Sequence, residues 1–257
     1  MFLPSFELNG KTAVVTGAGR GIGRAIAVGL AEAGADVALL ARTEKDLGET
    51  AEIIENLGRK ALIIPSDVTE REQVHNAITE IGSRWGKIDI LVNNAGMNIR
   101  SKALDATDEE WQKIMDTNLK SAFMMSQETG KIMKDQPSGG KIINIASVAG
   151  QVALRTGVVY AATKAALMQM TKVLAMEWGQ YGINVNSIGP WYFKTPLTEK
   201  LLADEAYIND ILAVTPLKRI GELPELVGPV VFLSSDAGNY VTGQTLFVDG
   251  GMTIHGF

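Results

Sequence analysis

Short apolar runs rich in β-branched residues alternate with longer helical patterns from one end of this 257-residue chain to the other. Strands are expected near residues 11–16, 36–41, 61–65, 88–93, 141–147, 184–188 and 245–249. Helical patterns fill the intervals, as at 21–33, 44–57, 70–85, 108–134 and 158–178. The strand runs are nearly all-apolar rather than alternating, which is the mark of strands covered on both faces. Parallel neighbours of that kind need helical crossovers between them. No Pro/Gly/Ser-rich linker, internal repeat or low-complexity tract divides the chain. The pattern predicts a single doubly wound α/β domain over residues 1–257. The stretch 191–217 is the least regular; it follows the sixth strand, where a loop and short helices are placed to cover a ligand.

Composition narrows the partners more than the fold. Apolar residues make up 46% and charged residues 21%, the balance of an ordinary globular protein. A net charge of −5 with no basic stretch argues against nucleic acid as a partner. The chain has no cysteine, so disulfides and thiolate metal sites are excluded. His75 and His255 stand far apart with no second histidine at ligand spacing, and no metal site is expected. The first ten residues show no basic segment followed by a long apolar one, and no run approaches the roughly 18–20 apolar residues that span a bilayer. The expected location is the cytoplasm, with no membrane partner.

Thr16-Gly17-Ala18-Gly19-Arg20-Gly21-Ile22-Gly23 joins the first strand to the first helix. Glycines there let the backbone approach a pyrophosphate, and the helix N-terminus supplies unpaired N–H donors and partial positive charge. The spacing Gly17-x-x-x-Gly21-x-Gly23 departs from the commoner G-x-G-x-x-G, and a tight packing turn is the alternative reading. A carboxylate at the end of the second strand would grip the ribose 2′-hydroxyl of NAD. Ala41 stands there instead, with Arg42 beside it and Arg20 in the glycine turn, two guanidiniums suited to a 2′-phosphate. Asp67, followed by Val68, ends the third strand where an adenine would lie, or else belongs to the start of the next helix. Asn93-Asn94-Ala95-Gly96 closes the fourth strand as a turn.

Tyr160 and Lys164 are four apart on a helical pattern and share one face. A phenol titrates near 10, too high for a base at neutral pH, and a neighbouring ammonium favours the phenolate. The pair is a candidate acid–base for moving a proton on or off an alcohol. Alone, such spacing also occurs on solvated helices.

Together these residues reach a known pattern. The glycine turn 17–23, Asn93-Asn94-Ala95-Gly96, Asn118, Ser147, Tyr160 with Lys164, Ser187-Ile188-Gly189-Pro190 and the closing Val241-Thr242-Gly243 and Val248-Asp249-Gly250-Gly251 stand in order and register over nearly the whole chain. In them the chain resembles the short-chain dehydrogenase/reductase family. The resemblance implies a Rossmann-like sheet of about seven strands, a nicotinamide cofactor and a homotetramer. It implies that Tyr160 is the proton donor and acceptor, that Ser147 holds the substrate oxygen, and that Lys164 lowers the Tyr160 pKa and binds the nicotinamide ribose. It also implies that Asn118, through its backbone, supports a water relay to Lys164. Gly17, Arg20, Gly21, Ile22, Gly23, Arg42, Asp67, Val68, Asn94, Ala95, Gly96, Pro190, Phe193 and Thr195 join Tyr160 and Lys164 as expected cofactor contacts, with NADP(H) preferred over NAD(H). Trp191 departs from the family's usual Pro-Gly and is placed to crowd or cover the nicotinamide end.

The expected substrate is a small alcohol or ketone. Arg100 and Arg155 are candidate ligands for a carboxylate, with Gln151 and Trp191 as further contacts; ordinary solvated arginines are the alternative. The segments around them are similar to those of sugar-acid dehydrogenases of the family. A 3-oxoacyl-acyl-carrier-protein reductase, docking its carrier on Lys131, Lys134 and Lys172, is the competing enzyme. A silent dinucleotide-binding module is the non-enzyme alternative, and the intact Ser147, Tyr160 and Lys164 argue against it. By the same resemblance, the two long helices bearing methionines 124, 125, 168, 170 and 176, and the tail 252–257, are the expected tetramer contacts, with plain core as the other use of methionine.

Overall fold

The computed structural model describes residues 2–196 and 198–254; His255 and the last residues of the expected tail contact lie outside them. The strands are β1 (Thr12–Thr16), β2 (Asp36–Ala41), β3 (Ala61–Pro65), β4 (Ile90–Asn93), β5 (Gly140–Ile145), β6 (Ile183–Pro190) and β7 (Thr245–Val248). They form one parallel sheet in the order β3-β2-β1-β4-β5-β6-β7. The helices are α1 (Gly21–Glu32), α2 (Glu44–Asn56), α3 (Arg71–Trp85), α4 (Asp108–Met115), α5 (Ser121–Lys134), α6 (Val158–Trp178), α7 (Glu199–Leu202), α8 (Glu205–Ala213) and α9 (Leu223–Ser234).

Successive strand residues face opposite layers, so an all-apolar strand feeds two cores. Ala13 and Val15 of β1 pack with Ile26 and Leu30 of α1 and Val230 of α9. Val14, between them, faces Met124 and Met125 of α5 and Leu174 of α6. This is the doubly wound, Rossmann-like single domain that the sequence pattern predicts. Strand order reverses between β1 and β4, and in such sheets a ligand lies beyond the carboxyl ends of the strands at that reversal.

Most boundaries shift by one or two residues, and two differences bear on the site. The helix expected over 108–134 is two helices joined by a π turn, Asp116–Lys120. The apolar period of 3.6 continues through the turn, so the sequence pattern carries no sign of the break. β5 ends at Ile145, and Ser147 lies two residues past it. Among the described residues no helix is long and apolar enough to cross a membrane.

Candidate active site

The first wall of the crevice is the β1–α1 turn. Gly17 and Gly21 take φ of +65° and +56°, conformations that favour glycine. Gly23 is required by proximity: a Cβ there would lie 2.1 Å from the Gly17 carbonyl oxygen and 2.5 Å from Asn94 Nδ2. Thr50 Oγ1 braces the turn from behind by donating to the Ala18 carbonyl at 3.1 Å, and Arg24 donates to that of Gly19. Arg20 occupies the N-cap of α1, and no side chain caps the first turn, which carries no acidic residue. Half-buried Ile22 stands in that first turn.

Thr16 ties this wall to the next. Its Oγ1 accepts from both Asn94 N and Ala95 N at 3.0 Å. Asn94 Nδ2 reaches back to the carbonyls of Thr16 (3.0 Å) and Gly17 (3.3 Å). Gly96 continues this floor; a Cβ on it would sit 3.4 Å from Asn118 Oδ1 and 3.8 Å from Lys164 Nζ. A backbone cradle that any Cβ would fill, ending at an uncapped helix N-terminus, fits a dinucleotide pyrophosphate.

At the ribose end, Arg20 and Arg42 are exposed. Among the described residues neither side chain has a hydrogen bond or ion pair. Burial pushes the Asp67 carboxyl up, yet bonds from Thr69 N (3.0 Å) and Thr69 Oγ1 (2.7 Å), with the nearby charge of Arg42, hold it below its usual value. Asp67 therefore stays ionised beside Arg42. Val68, next to it, is buried.

Ser147, Tyr160 and Lys164 meet beyond the end of β5. Ser147 caps a single 3₁₀ turn (Val148–Gly150), its Oγ accepting from Ala149 N at 3.1 Å. Lys164 is buried, and its Nζ donates to the Ile145 carbonyl at 2.7 Å. That Nζ stands 5.6 Å from the centre of the half-buried Tyr160 ring. Burial lowers the Lys164 pKa to about 8. Burial also pushes the Tyr160 phenol up, against a hydrogen bond with Ser147 and the charge of Arg100. Arg100 is thus a cation that favours the phenolate, with Lys164 Nζ, 5.6 Å from the ring centre, as a second cation nearby. The Lys164 charge is directed into the Ile145 carbonyl.

Asn118 sits in the π turn, buried, and its side chain brackets one residue: Oδ1 accepts from Met97 N and Nδ2 donates to Met97 O, both at 2.8 Å. Nδ2 also reaches Thr163 Oγ1 at 3.3 Å. The asparagine thus fastens the loop after β4 to α6 one residue before Lys164.

On the far side a cleft of about 480 Å³ opens between the segment 153–156 and α8. Ser147, Tyr160 and Lys164 do not line it. Arg100 links the two, since its charge acts on Tyr160 while its Nη1 donates to Tyr207 Oη (3.0 Å) in the cleft wall. Tyr207 and Tyr192 share a hydroxyl–hydroxyl bond of 2.5 Å, and burial pushes Tyr192 up to about 12. Arg100 therefore has neutral partners and keeps its charge.

Arg155 does not: it pairs with Asp210 of α8 at 2.8 Å and lies 5.5 Å over the Tyr207 ring. Arg155, a candidate carboxylate ligand in the sequence, thus has a carboxylate partner 55 residues away in sequence. The side chain of Gln151 is exposed. Trp191 turns toward the covering segment, donating from Nε1 to Thr215 Oγ1 at 3.1 Å, with its ring edge-on to Tyr192. Pro190 and Phe193 are buried, and Thr195 lies 3.9 Å from the position of a Cβ on Gly21, closing the crevice.

Tyr207 and Asp210 carry no motif and are recognisable only once the fold brings them to the site; Thr16 opens the glycine run, but its bonds to the Asn94 turn exist only in the fold. Of the lysines considered for carrier docking, Lys131 is paired with Glu128 at 2.7 Å and Lys134 stands 5.3 Å over the Tyr181 ring. Met124, Met125 and Met168 are core, whereas Met176 is 77% exposed.

The chain belongs to the short-chain dehydrogenase/reductase family of oxidoreductases, whose members act on alcohol and ketone groups with a nicotinamide dinucleotide. Residues 17–253 match the family model described as enoyl-(acyl carrier protein) reductase. Gluconate 5-dehydrogenase of Gluconobacter oxydans (strain 621H) is 42% identical over 97% of this chain and 97% of its own length. A tropinone reductase homolog of Arabidopsis thaliana is 42% identical over 98% of this chain and 96% of its own. The crystal structure of a gluconate 5-dehydrogenase from Burkholderia cenocepacia J2315, in complex with NADP and tartrate, superposes with a TM-score of 0.93 at 42% identity, covering 97% of each chain.

Proposed function

We propose that this chain is an NADP(H)-dependent dehydrogenase that interconverts a secondary alcohol and a ketone on a sugar acid, such as gluconate and 5-ketogluconate. The observation that carries this reading is Arg100, a charged guanidinium with only neutral partners, between Tyr160 and the cleft. An acid group of the substrate is its natural counter-ion. The gluconate 5-dehydrogenase relatives favour the same class.

When bound, the nicotinamide supplies the hydride chemistry. Tyr160 gives its proton to the carbonyl oxygen in reduction and takes the hydroxyl proton in oxidation. Ser147 holds that oxygen and stabilises its developing charge. Lys164 binds the nicotinamide ribose, and Asn118 with its π turn supports the proton path to Lys164. Gly17, Gly21, Ile22 and Gly23 receive the pyrophosphate, Asp67 and Val68 the adenine. Asn94, Ala95 and Gly96 form the floor, and Pro190, Phe193 and Thr195 bound the nicotinamide end. Arg20 and Arg42 bind the 2′-phosphate, and the NADP in the Burkholderia structure is in keeping with this. The segment 191–217 covers the substrate. Exposed Trp111, Phe123 and Met176 on α4, α5 and α6 are apolar surface for assembly into a homotetramer, in the cytoplasm.

The test is a fluorescence titration with NADPH and NADH, followed by turnover on keto sugar acids and acetoacetyl thioesters. NADPH is expected to bind more tightly, and the Ala41→Asp, Arg42→Ala double variant to reverse the preference. Tighter binding of NADH by the wild type would remove the assigned role of the two arginines. Turnover of the thioester alone would move the chain to the acyl-carrier reductases.

A further inference from the structure

Two arginines reach the wall of the cleft under α8, and the wall meets them differently. Arg155 faces a carboxylate, that of Asp210 at 2.8 Å, and its charge is balanced there. Arg100 faces a phenol. Its Nη1 donates to Tyr207 Oη at 3.0 Å, the one hydrogen bond of that side chain among the described residues. Burial works to lower the Arg100 pKa, and the Tyr192 and Tyr207 hydroxyls more than offset it, so the guanidinium keeps its charge.

A guanidinium on a long exposed side chain ordinarily samples many rotamers, and a ligand that binds it must also fix it. Arg100 stands on the loop after β4 and is exposed. Its anchor comes from the other side of the cleft and is itself stiff. Tyr207 lies in the first turn of α8, where Asp204 Oδ1 accepts from Ala206 N (3.0 Å) and Tyr207 N (3.3 Å). Its ring stands edge-on to that of Tyr192, with centres 5.9 Å apart, and has the Arg155 guanidinium 5.5 Å over it. Its hydroxyl is also bonded to that of Tyr192, a residue only 8% exposed. A neutral phenol oxygen accepts a guanidinium N–H and brings no charge. It therefore orients the arginine without cancelling it. A carboxylate in its place would do both, as Asp210 does to Arg155.

We propose that Tyr207 is a positioning residue, whose hydroxyl holds the Arg100 guanidinium so that its remaining N–H donors are presented to an acid group of the substrate. This deepens the sugar-acid reading and rests on it for the role of Arg100. A fixed guanidinium offers a planar fork that matches a carboxylate, and its ordering is complete before the ligand arrives. The same bond ties α8 to the loop after β4, so the helix that walls the cleft also sets the charge in place.

Tyr207→Phe removes the hydroxyl and keeps the ring that packs on Tyr192 and Arg155. The readout is the ratio of two Michaelis constants, that for a sugar acid over that for a neutral polyol. The ratio is expected to rise about twofold to tenfold, the cost of immobilising one long side chain on binding. In the Arg100→Ala background, where the ratio is already raised, Tyr207→Phe should raise it no further. A phenol needed only for packing would act alike on both substrates and alike in both backgrounds, and that result overturns the inference. Tyr192→Phe leaves Tyr207 able to accept from Arg100 and should move the ratio less. A larger shift there assigns the anchor to Tyr192 and overturns the role of Tyr207. Failure of the sugar-acid reading shows separately, as a wild type that turns over no sugar acid or as Arg100→Ala acting equally on acid and polyol; either overturns both. A raised ratio in Arg100→Ala with none in Tyr207→Phe overturns this inference alone.

Discussion

The crevice proposed for the nucleotide and the cleft proposed for the substrate are built from different materials. The crevice is made of backbone. Glycines bring main chain within contact of main chain, and its side-chain ties, Thr16 and Asn94, end on amides and carbonyls. The cleft is made of side chains bonded to side chains, with Arg100 on Tyr207, Tyr207 on Tyr192 and Arg155 on Asp210. Backbone geometry fixes a shape that any sequence with the right glycines can reproduce, and a dinucleotide presents the same phosphates every time. Side-chain pairs can be exchanged singly, and exchange is how one scaffold serves many substrates.

The strongest way to break this contrast is to strike each region at its centre. Tyr160→Phe is expected to lower turnover by at least about two orders of magnitude while dinucleotide binding survives. Gly23→Ala should do the reverse. A methyl group 2.1 Å from the Gly17 carbonyl cannot be housed without moving backbone, at about 1–3 kcal/mol of strain, so binding weakens and the melting temperature falls. Fluorescence titration and steady-state kinetics on both variants check the pair. Unaltered dinucleotide affinity in Gly23→Ala would place the phosphates elsewhere.

The next effect sharpens the description of the cleft. Arg100→Ala should raise the Michaelis constant for a sugar acid by about tenfold to hundredfold, the worth of a charge-assisted bond, and leave a neutral polyol nearly unaffected. Arg155→Ala, whose charge is already met by Asp210, should change both by no more than a few-fold. Equal effects of the two substitutions would mean that the Asp210 pair opens when substrate enters.

The smallest effect comes from outside both regions and gives a baseline. Lys141 lies at the amino end of β5, where burial lowers its pKa to about 8. An unfolded lysine titrates near 10.4, so between these values the unfolded chain holds more protons and stability rises with pH. Relative to Lys141→Met, the wild type should gain about 1 kcal/mol between pH 8 and pH 10, a figure reduced for partial solvent screening. Urea denaturation at both pH values measures it; a constant difference would show that the side chain is fully hydrated.

The same contrast explains what could be read in the sequence. The crevice was legible because its requirements are local: four glycines within seven residues, an Asn-Asn-Ala-Gly turn, a strand before and a helix after. The strands were legible because their runs are mostly apolar, with β1, β2, β4 and β5 feeding both cores, although Asn144, Asn186 and Ser187 are buried polar exceptions in β5 and β6. The cleft was not, because Arg155 meets Asp210 and Arg100 meets Tyr207 only after 55 and 107 residues of chain have folded between them. The π turn was hidden for another reason. It widens the helix by the backbone alone; the family pattern picks out Asn118, but its bonds to Met97 exist only in the fold.

Thr16 carries a consequence for traffic through the site. One hydroxyl receives two amides from the fourth strand's turn, and the asparagine beside it returns two bonds to the first. The two walls of the crevice are in effect riveted, and β1 cannot part from β4 without breaking four bonds together. An entering dinucleotide therefore gains no room on that side. Under the proposed function, admission and departure fall to the opposite wall, where Thr195 is bonded to Thr198 rather than to β1 or β4. The fixed half sets what is held, and the looser half sets how quickly it comes and goes.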